Sequence, residues 1–234
     1  MENLQGKIAV VTGGTRGIGR AIAERLLREG SSVAICGRSQ DSVDRSVSEM
    51  APLGAIFGLA ADVAKLDSVR QFFRAIDDRF HGLDILINNA GAGIFRKVAE
   101  MQPDEWRQTI DLNLNGPFYC SREALARFAA RGGGFIVNIS SLAGKNAFSG
   151  GAAYNASKFG LNGFSEALML DHRHDNVRVS SIMPGSVDTA FGGESGASWK
   201  MAPEDVADVV AMVLRMPART MVSRVEMRPS RPKK

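Results

Sequence analysis

Short β-branched or apolar runs alternate with helix-period patterns along almost the whole of this 234-residue chain. Ile8-Ala9-Val10-Val11 precedes a helical pattern over 17–29, and Ser32-Val33-Ala34-Ile35-Cys36 precedes one over 41–50. Ala55-Ile56-Phe57-Gly58-Leu59 leads into a helix over 66–80. Asp84-Ile85-Leu86-Ile87 leads into a long one over 104–130, with a break expected at Pro117. Phe135-Ile136-Val137-Asn138-Ile139 is followed by a helix over 152–171, Val177 to Ile182 by one over 203–215, and a last strand is expected near 222–227. Strands that alternate with helices require right-handed crossovers and a parallel sheet. Strands this uniformly apolar belong in a sheet covered on both faces. The expected fold is therefore α/β, a doubly wound parallel sheet of about seven strands with helices on both faces. There is no repeat of fixed period and no long linker, so 1–234 reads as a single domain.

Composition excludes several classes. The apolar fraction of 44% and charged fraction of 23% are those of an ordinary globular protein. The net charge of +4 is mild, and residues 228–234 concentrate four basic side chains beside two prolines. Such a run reads as a solvated basic tail rather than a nucleic-acid patch. No apolar run reaches bilayer length. Neither nucleic acid nor membrane is an expected partner. Cys36 and Cys120 form no paired framework, and Met1 to Lys7 carry no apolar signal-peptide core, which points to a reducing, cytoplasmic setting. His81, His172 and His174 lack a carboxylate cluster, so no metal site is expected.

After the first strand comes Thr12-Gly13-Gly14-Thr15-Arg16-Gly17-Ile18-Gly19, which opens a helix. Glycines there permit a tight turn and close approach of backbone amides to a pyrophosphate at the positive helix end. The spacing is Gly-x-x-x-Gly-x-Gly rather than the usual dinucleotide form. Where an NAD site places an acidic residue at the end of the second strand, this chain has Gly37-Arg38. Arg38 together with Arg16 suits a ribose 2′-phosphate, which guanidinium groups bind bidentately. NADP(H) is expected in preference to NAD(H).

Tyr154 and Lys158 stand at i and i+4, on one face of a helix. Ser140-Ser141 ends the preceding strand, and Asn88-Asn89-Ala90-Gly91 ends the fourth, both at the carboxyl edge where such sheets bind ligands. These motifs, in this order, resemble the short-chain dehydrogenase/reductase family over about 7–189. The resemblance implies a Rossmann fold and a catalytic tetrad of Asn113, Ser141, Tyr154 and Lys158. It implies cofactor contacts from Gly13, Thr15, Arg16, Gly17, Ile18, Gly19 and Arg38, and from Asp62 and Val63 beside the adenine. Further contacts follow from Asn89, Ala90 and Gly91, from Tyr154 and Lys158, and from Pro184, Gly185, Val187 and Thr189 on the nicotinamide side. The Asn-Leu-x-Gly pattern selects Asn113 over Asn115, and spacing to Tyr154 selects Ser141 over Ser140.

Tyrosine with a pKa near 10 is a poor base at neutral pH. A lysine ammonium about 4 Å away would favour the phenolate by on the order of 4 kcal/mol at an effective dielectric of 20. Ser141 is expected to hold the substrate oxygen. By resemblance, Lys158 also binds the nicotinamide ribose and Asn113 supports a water-linked proton relay. The expected reaction is hydride transfer between nicotinamide and a carbonyl or secondary alcohol, with 3-oxoacyl thioesters, hydroxy acids and small alcohols or ketones as candidate substrates. Residues 190–202 form a short glycine-rich loop on the substrate side, expected as a small lid in which Phe191 and Trp199 line a pocket. The chain resembles both 3-oxoacyl-acyl-carrier-protein reductases and NADP-dependent alcohol or 3-hydroxy-acid dehydrogenases, and its ending favours the latter. A homodimer or homotetramer is expected. The rival reading is a noncatalytic dinucleotide sensor or scaffold on the same fold.

Overall fold

The computed structural model describes residues 2–191 and 196–232. The strands are β1 (Ile8–Thr12), β2 (Ser32–Gly37), β3 (Ile56–Ala60), β4 (Ile85–Asn88), β5 (Gly134–Ile139), β6 (Val177–Pro184) and β7 (Arg224–Met227). They form one seven-stranded sheet in the order β3-β2-β1-β4-β5-β6-β7. Every neighbouring pair is parallel. The helices are α1 (Gly17–Arg28), α2 (Gln40–Met50), α3 (Leu66–Phe80), α4 (Pro103–Ile110), α5 (Gly116–Arg131), α6 (Ala152–His172) and α7 (Pro203–Leu214).

Side chains alternate faithfully between the two faces. Ala9, Val11, Val33, Ile35, Ile85, Ile87, Phe135 and Val137 pack with α1 and α7 on one side. Ile8, Val10, Ala34, Cys36, Leu86 and Ile136 pack with α3, α5 and Leu168 of α6 on the other. Because successive strand residues point to opposite faces, a strand covered on both sides is apolar along its length; β1 is buried at all five positions, with Ile8 to Val11 apolar and only the terminal Thr12 polar. This is the doubly wound Rossmann architecture expected from the sequence. Among the described residues, no helix is long and apolar enough to cross a membrane.

Two expectations need correction. The long helix over 104–130 is two helices, and the break lies at Asp111–Asn115 rather than at Pro117. There the Gly116 amide donates to the Asp111 carbonyl, five residues back, in a widened π turn. A regular helix would ask Pro117 for an N–H it lacks, so the distortion falls one turn before the proline, which then sits comfortably in the first turn of α5. The last strand begins at Arg224, two residues later than expected, because it pairs only over Ser181 to Pro184 of β6.

The winding reverses between β1 and β4. There the Thr12 hydroxyl accepts from the amides of Asn89 and Ala90, each at 3.0 Å, and donates to the Ile87 carbonyl at 3.3 Å. Asn89 Nδ2 returns bonds to the carbonyls of Thr12 at 2.9 Å and Gly13 at 3.2 Å. Thr12→Val keeps the shape and removes the hydroxyl, leaving two partly buried amides without an acceptor. Urea denaturation should register a loss of roughly 1–3 kcal/mol; unchanged stability would mean that the amides find other partners.

Candidate active site

The glycine turn lies at the fork between β1 and β4. Gly13 and Gly17 have φ of 65° and 55°, a region that favours glycine. A Cβ on Gly19 would lie 2.3 Å from both Asn89 Nδ2 and the Gly13 carbonyl, so the turn is closed tightly on itself. Arg16 caps α1 without any side-chain hydrogen bond, and the first turn holds no acidic residue. The leading amides are thus presented outward, as an anion requires. Ile18 packs into the core beneath, and Thr15 lies against Gly37 at the end of β2, which brings the Arg16 loop beside Arg38. Both arginines are exposed, and neither side chain makes an ion pair or hydrogen bond with the described residues.

The other expected cofactor residues frame the same crevice. After β3, Asp62 is fixed by Ser68 and Ala64, while buried Val63 supports the start of α5 under Gly116. After β4, Ala90 lies against Gly13, and Gly91 has Asn113 Oδ1 and Lys158 Nζ on its flank. After β6, Pro184 ends the strand and the Gly185 amide donates to the Met227 carbonyl. Val187 and Met201 form a short bridge that closes the base of the following loop, and Thr189 folds back onto Gly17.

Tyr154 and Lys158 ride on α6, whose sheet-facing side is unusual. Its buried positions include Asn155, Ser157, Lys158, Asn162 and Ser165. These polar groups dock the helix through directed bonds. Lys158 Nζ donates to the Ile139 carbonyl at 3.0 Å, and Asn162 links the Gly144 carbonyl to the Ser181 hydroxyl. Asn138 Nδ2 donates to Ser165 at 2.8 Å, and Asn155 Nδ2 to the Phe148 carbonyl at 3.1 Å. Asn113, on the π turn, donates to Ser157 at 3.0 Å and to the Ala92 carbonyl at 2.8 Å, and accepts from the Ala92 amide. Its side chain ties α6 to the segment after β4. Asn115 instead bonds Asp111 on the helix surface. Ser141 lies beside the Tyr154 phenol, whereas the Ser140 hydroxyl is buried with no hydrogen-bond partner among the described residues.

The electrostatics of the chain alone differ from the expectation. Lys158 Nζ lies 5.7 Å from the centre of the Tyr154 ring. Burial pushes the phenol up, opposed by the Ser141 hydrogen bond. Burial also pushes the lysine down to about 8. Both groups are thereby moved toward their neutral forms.

Three rings that the sequence reading did not assemble surround the phenol. Phe95 and Phe191 centre at 5.7 Å and 5.6 Å from Tyr154, and Phe148 at 6.5 Å. Of these only Phe191 was anticipated. Trp199 makes no ring contact with Tyr154 among the described residues, and the expected lid of 190–202 lies partly outside them. Both cysteine thiols are buried and raised by that burial, which makes them poor nucleophiles. No group of three or more His, Cys, Asp or Glu among the described residues is placed to hold a metal.

A family model described as short chain dehydrogenase matches residues 7–199. An uncharacterised oxidoreductase of Staphylococcus aureus (strain MRSA252) is 33% identical over 231 residues, 98% of this chain and all of that one. An alcohol dehydrogenase from the archaeon Thermococcus sibiricus, solved with 5-hydroxy-NADP, superposes with a TM-score of 0.91 at 29% identity, covering 98% of this chain and 100% of its own. A metagenomic short-chain oxidoreductase solved with NADP gives 0.87 at 35% identity, covering 99% and 100%. The chain belongs to the short-chain dehydrogenase family and is an oxidoreductase of that type.

The lysine carries a linkage consequence. Its folded pKa of about 8 lies below the ordinary 10.5, so between those values the unfolded chain binds the proton and the folded chain does not. Stability from this group therefore rises with pH across that window and is lowest below it. Denaturation of cofactor-free protein from pH 8 to 10.5 should show wild type gaining on Lys158→Met, with a full span on the order of 3 kcal/mol. A constant difference would refute the depressed pKa.

Proposed function

We propose that this protein is an NADP(H)-dependent carbonyl reductase or alcohol dehydrogenase in which Tyr154 exchanges the proton. The observation that carries this reading is convergence. Asn113 and Lys158 flank Gly91, Lys158 faces the Tyr154 ring and Ser141 hydrogen-bonds the phenol, while the Gly13 turn that opens the uncapped helix lies against neighbouring Ala90 where the sheet reverses. Ligands bind at such points in open α/β sheets.

When bound, NADPH supplies the hydride and, once oxidised, a positive charge near the phenol. The α1 amides would hold its pyrophosphate, and Arg16 and Arg38 its 2′-phosphate. Two guanidinium groups without a partner among the described residues, and the lack of an acidic residue directly after β2, support NADP(H). So do the NADP and 5-hydroxy-NADP in the structural relatives.

In the reductive direction Tyr154 gives its proton to the substrate oxygen, while Ser141 donates a hydrogen bond to the same oxygen. In oxidation the phenolate takes the alcohol proton. The Lys158 ammonium favours that phenolate against the cost of burial. Asn113 positions the helix through Ser157 and Ala92 and serves the proton relay. Exposed Phe118 on α5 and Phe159 on α6 support pairing of these helices in a homo-oligomer.

Two variants test the assignment. Tyr154→Phe should bind NADPH by fluorescence titration yet lose turnover by about 10² to 10⁴-fold. Near-normal turnover in that variant would refute Tyr154 as the proton donor, whereas NADPH binding with no turnover by wild type would favour the noncatalytic scaffold. Arg38→Asp should move the ratio of NADPH to NADH affinity toward NADH; an unchanged ratio refutes the role of Arg38.

A further inference from the structure

The three phenylalanines around Tyr154 come from separate loops, following β4, β5 and β6 respectively. Phe95 is their hub, touching Phe148 at 5.7 Å, Tyr154 at 5.7 Å and Phe191 at 6.5 Å. Phe95, Phe148 and Phe191 remain 39%, 46% and 44% exposed, so they form an open apolar wall rather than part of the core. Two glycines make room for them. A Cβ on Gly93 would lie 2.5 Å from the Phe95 ring and 3.1 Å from that of Phe191, and one on Gly151 would lie 2.6 Å from that of Phe148. The rings therefore rest on bare backbone beside the phenol.

The charges nearby are directed elsewhere. Arg96, next to Phe95, pairs with Glu105 at 3.3 Å, and Lys145, before Phe148, pairs with Glu226. Among the described residues, no lysine or arginine stacks on any of the three phenylalanines. A carboxylate held against the three phenylalanines would meet electron-rich ring faces and lose water, and Lys158, beside the phenol, is buried and bonded to the Ile139 carbonyl. A flat apolar group would meet edges and faces at the spacings aromatic pairs prefer. Exposed apolar patches beside a reactive group mark ligand sites.

We propose that Phe95, Phe148 and Phe191 form the substrate-selecting box, and that the substrates are ketones and secondary alcohols bearing an aryl or comparably broad apolar group. Carboxylate-bearing oxo acids and hydroxy acids are excluded by it. This rests on the reading of Tyr154 as the proton donor. The reaction is ketone + NADPH + H⁺ giving secondary alcohol + NADP⁺, in which one hydride reduces the carbonyl carbon and one proton goes to its oxygen.

The test is NADPH oxidation by wild type, Phe95→Ala and Phe95→Leu against an aryl methyl ketone, a four-carbon aliphatic ketone and a four-carbon 3-oxo acid. Binding of the aryl secondary alcohol to the protein–NADP complex is followed separately by saturation-transfer NMR. Wild type should favour the aryl ketone over the aliphatic one by about 100-fold in kcat/KM, and over the oxo acid by more. Phe95→Ala should lose about 10-fold or more on the aryl ketone, chiefly through KM, and weaken the NMR signal, with Phe95→Leu recovering part of both. Equal or better turnover of the oxo acid or aliphatic ketone, or an unchanged preference in Phe95→Ala, overturns the box and leaves the reductase standing. NADPH binding without turnover of any ketone by wild type overturns the reductase reading, and the box with it.

Discussion

A single hydroxyl sits where the sheet changes its direction of winding. β1 has β2 on one side and β4 on the other, so the loops leaving β1 and β4 diverge at their carboxyl ends. Divergence opens a crevice, and it also strips both loops of the ladder partners that strands enjoy. Thr12 and Asn89 supply replacements, satisfying two amides and three carbonyls across the gap. The glycine turn and Gly91 are thereby held at one separation. Asn113 and Lys158, which flank Gly91, inherit their positions from that fork.

Much of this was legible in the sequence for a physical reason. Strands buried on both faces leave a continuous apolar signature, and a glycine turn at the first strand end fixes where the sheet binds anions. The widened turn at Asp111–Asn115 left none, because Asp-Leu-Asn-Leu-Asn contains no proline or glycine to mark where the backbone departs from a regular helix. Pro117 announced a break but not its place, since a proline is comfortable in the first turn of a helix. Phe95 and Phe148 were invisible as site residues for a different reason. Their meeting depends on where three loops converge, and no local pattern encodes that.

The electrostatic sign was also beyond the sequence, because it turns on burial. The Lys158 ammonium attracts a phenolate, but burial depresses the lysine from 10.5 to about 8 and pushes the phenol above its ordinary value. In the chain alone burial prevails, and the tyrosine is held protonated. Positive charge entering the site would work against that balance.

The polar row on α6 has a consequence for precision. A helix seated on an apolar face can settle by fractions of an ångström as side chains repack, and intermediate positions differ little in energy. Asn155, Lys158, Asn162 and Ser165 instead meet particular carbonyls, hydroxyls and amides of β5, β6 and the loop between them. Sliding the helix by one residue would unpair all of these at once within a dry interior. The placement of Tyr154 against Ser141 is thus quantised: the helix is either in register or undocked, with no graded misalignment between.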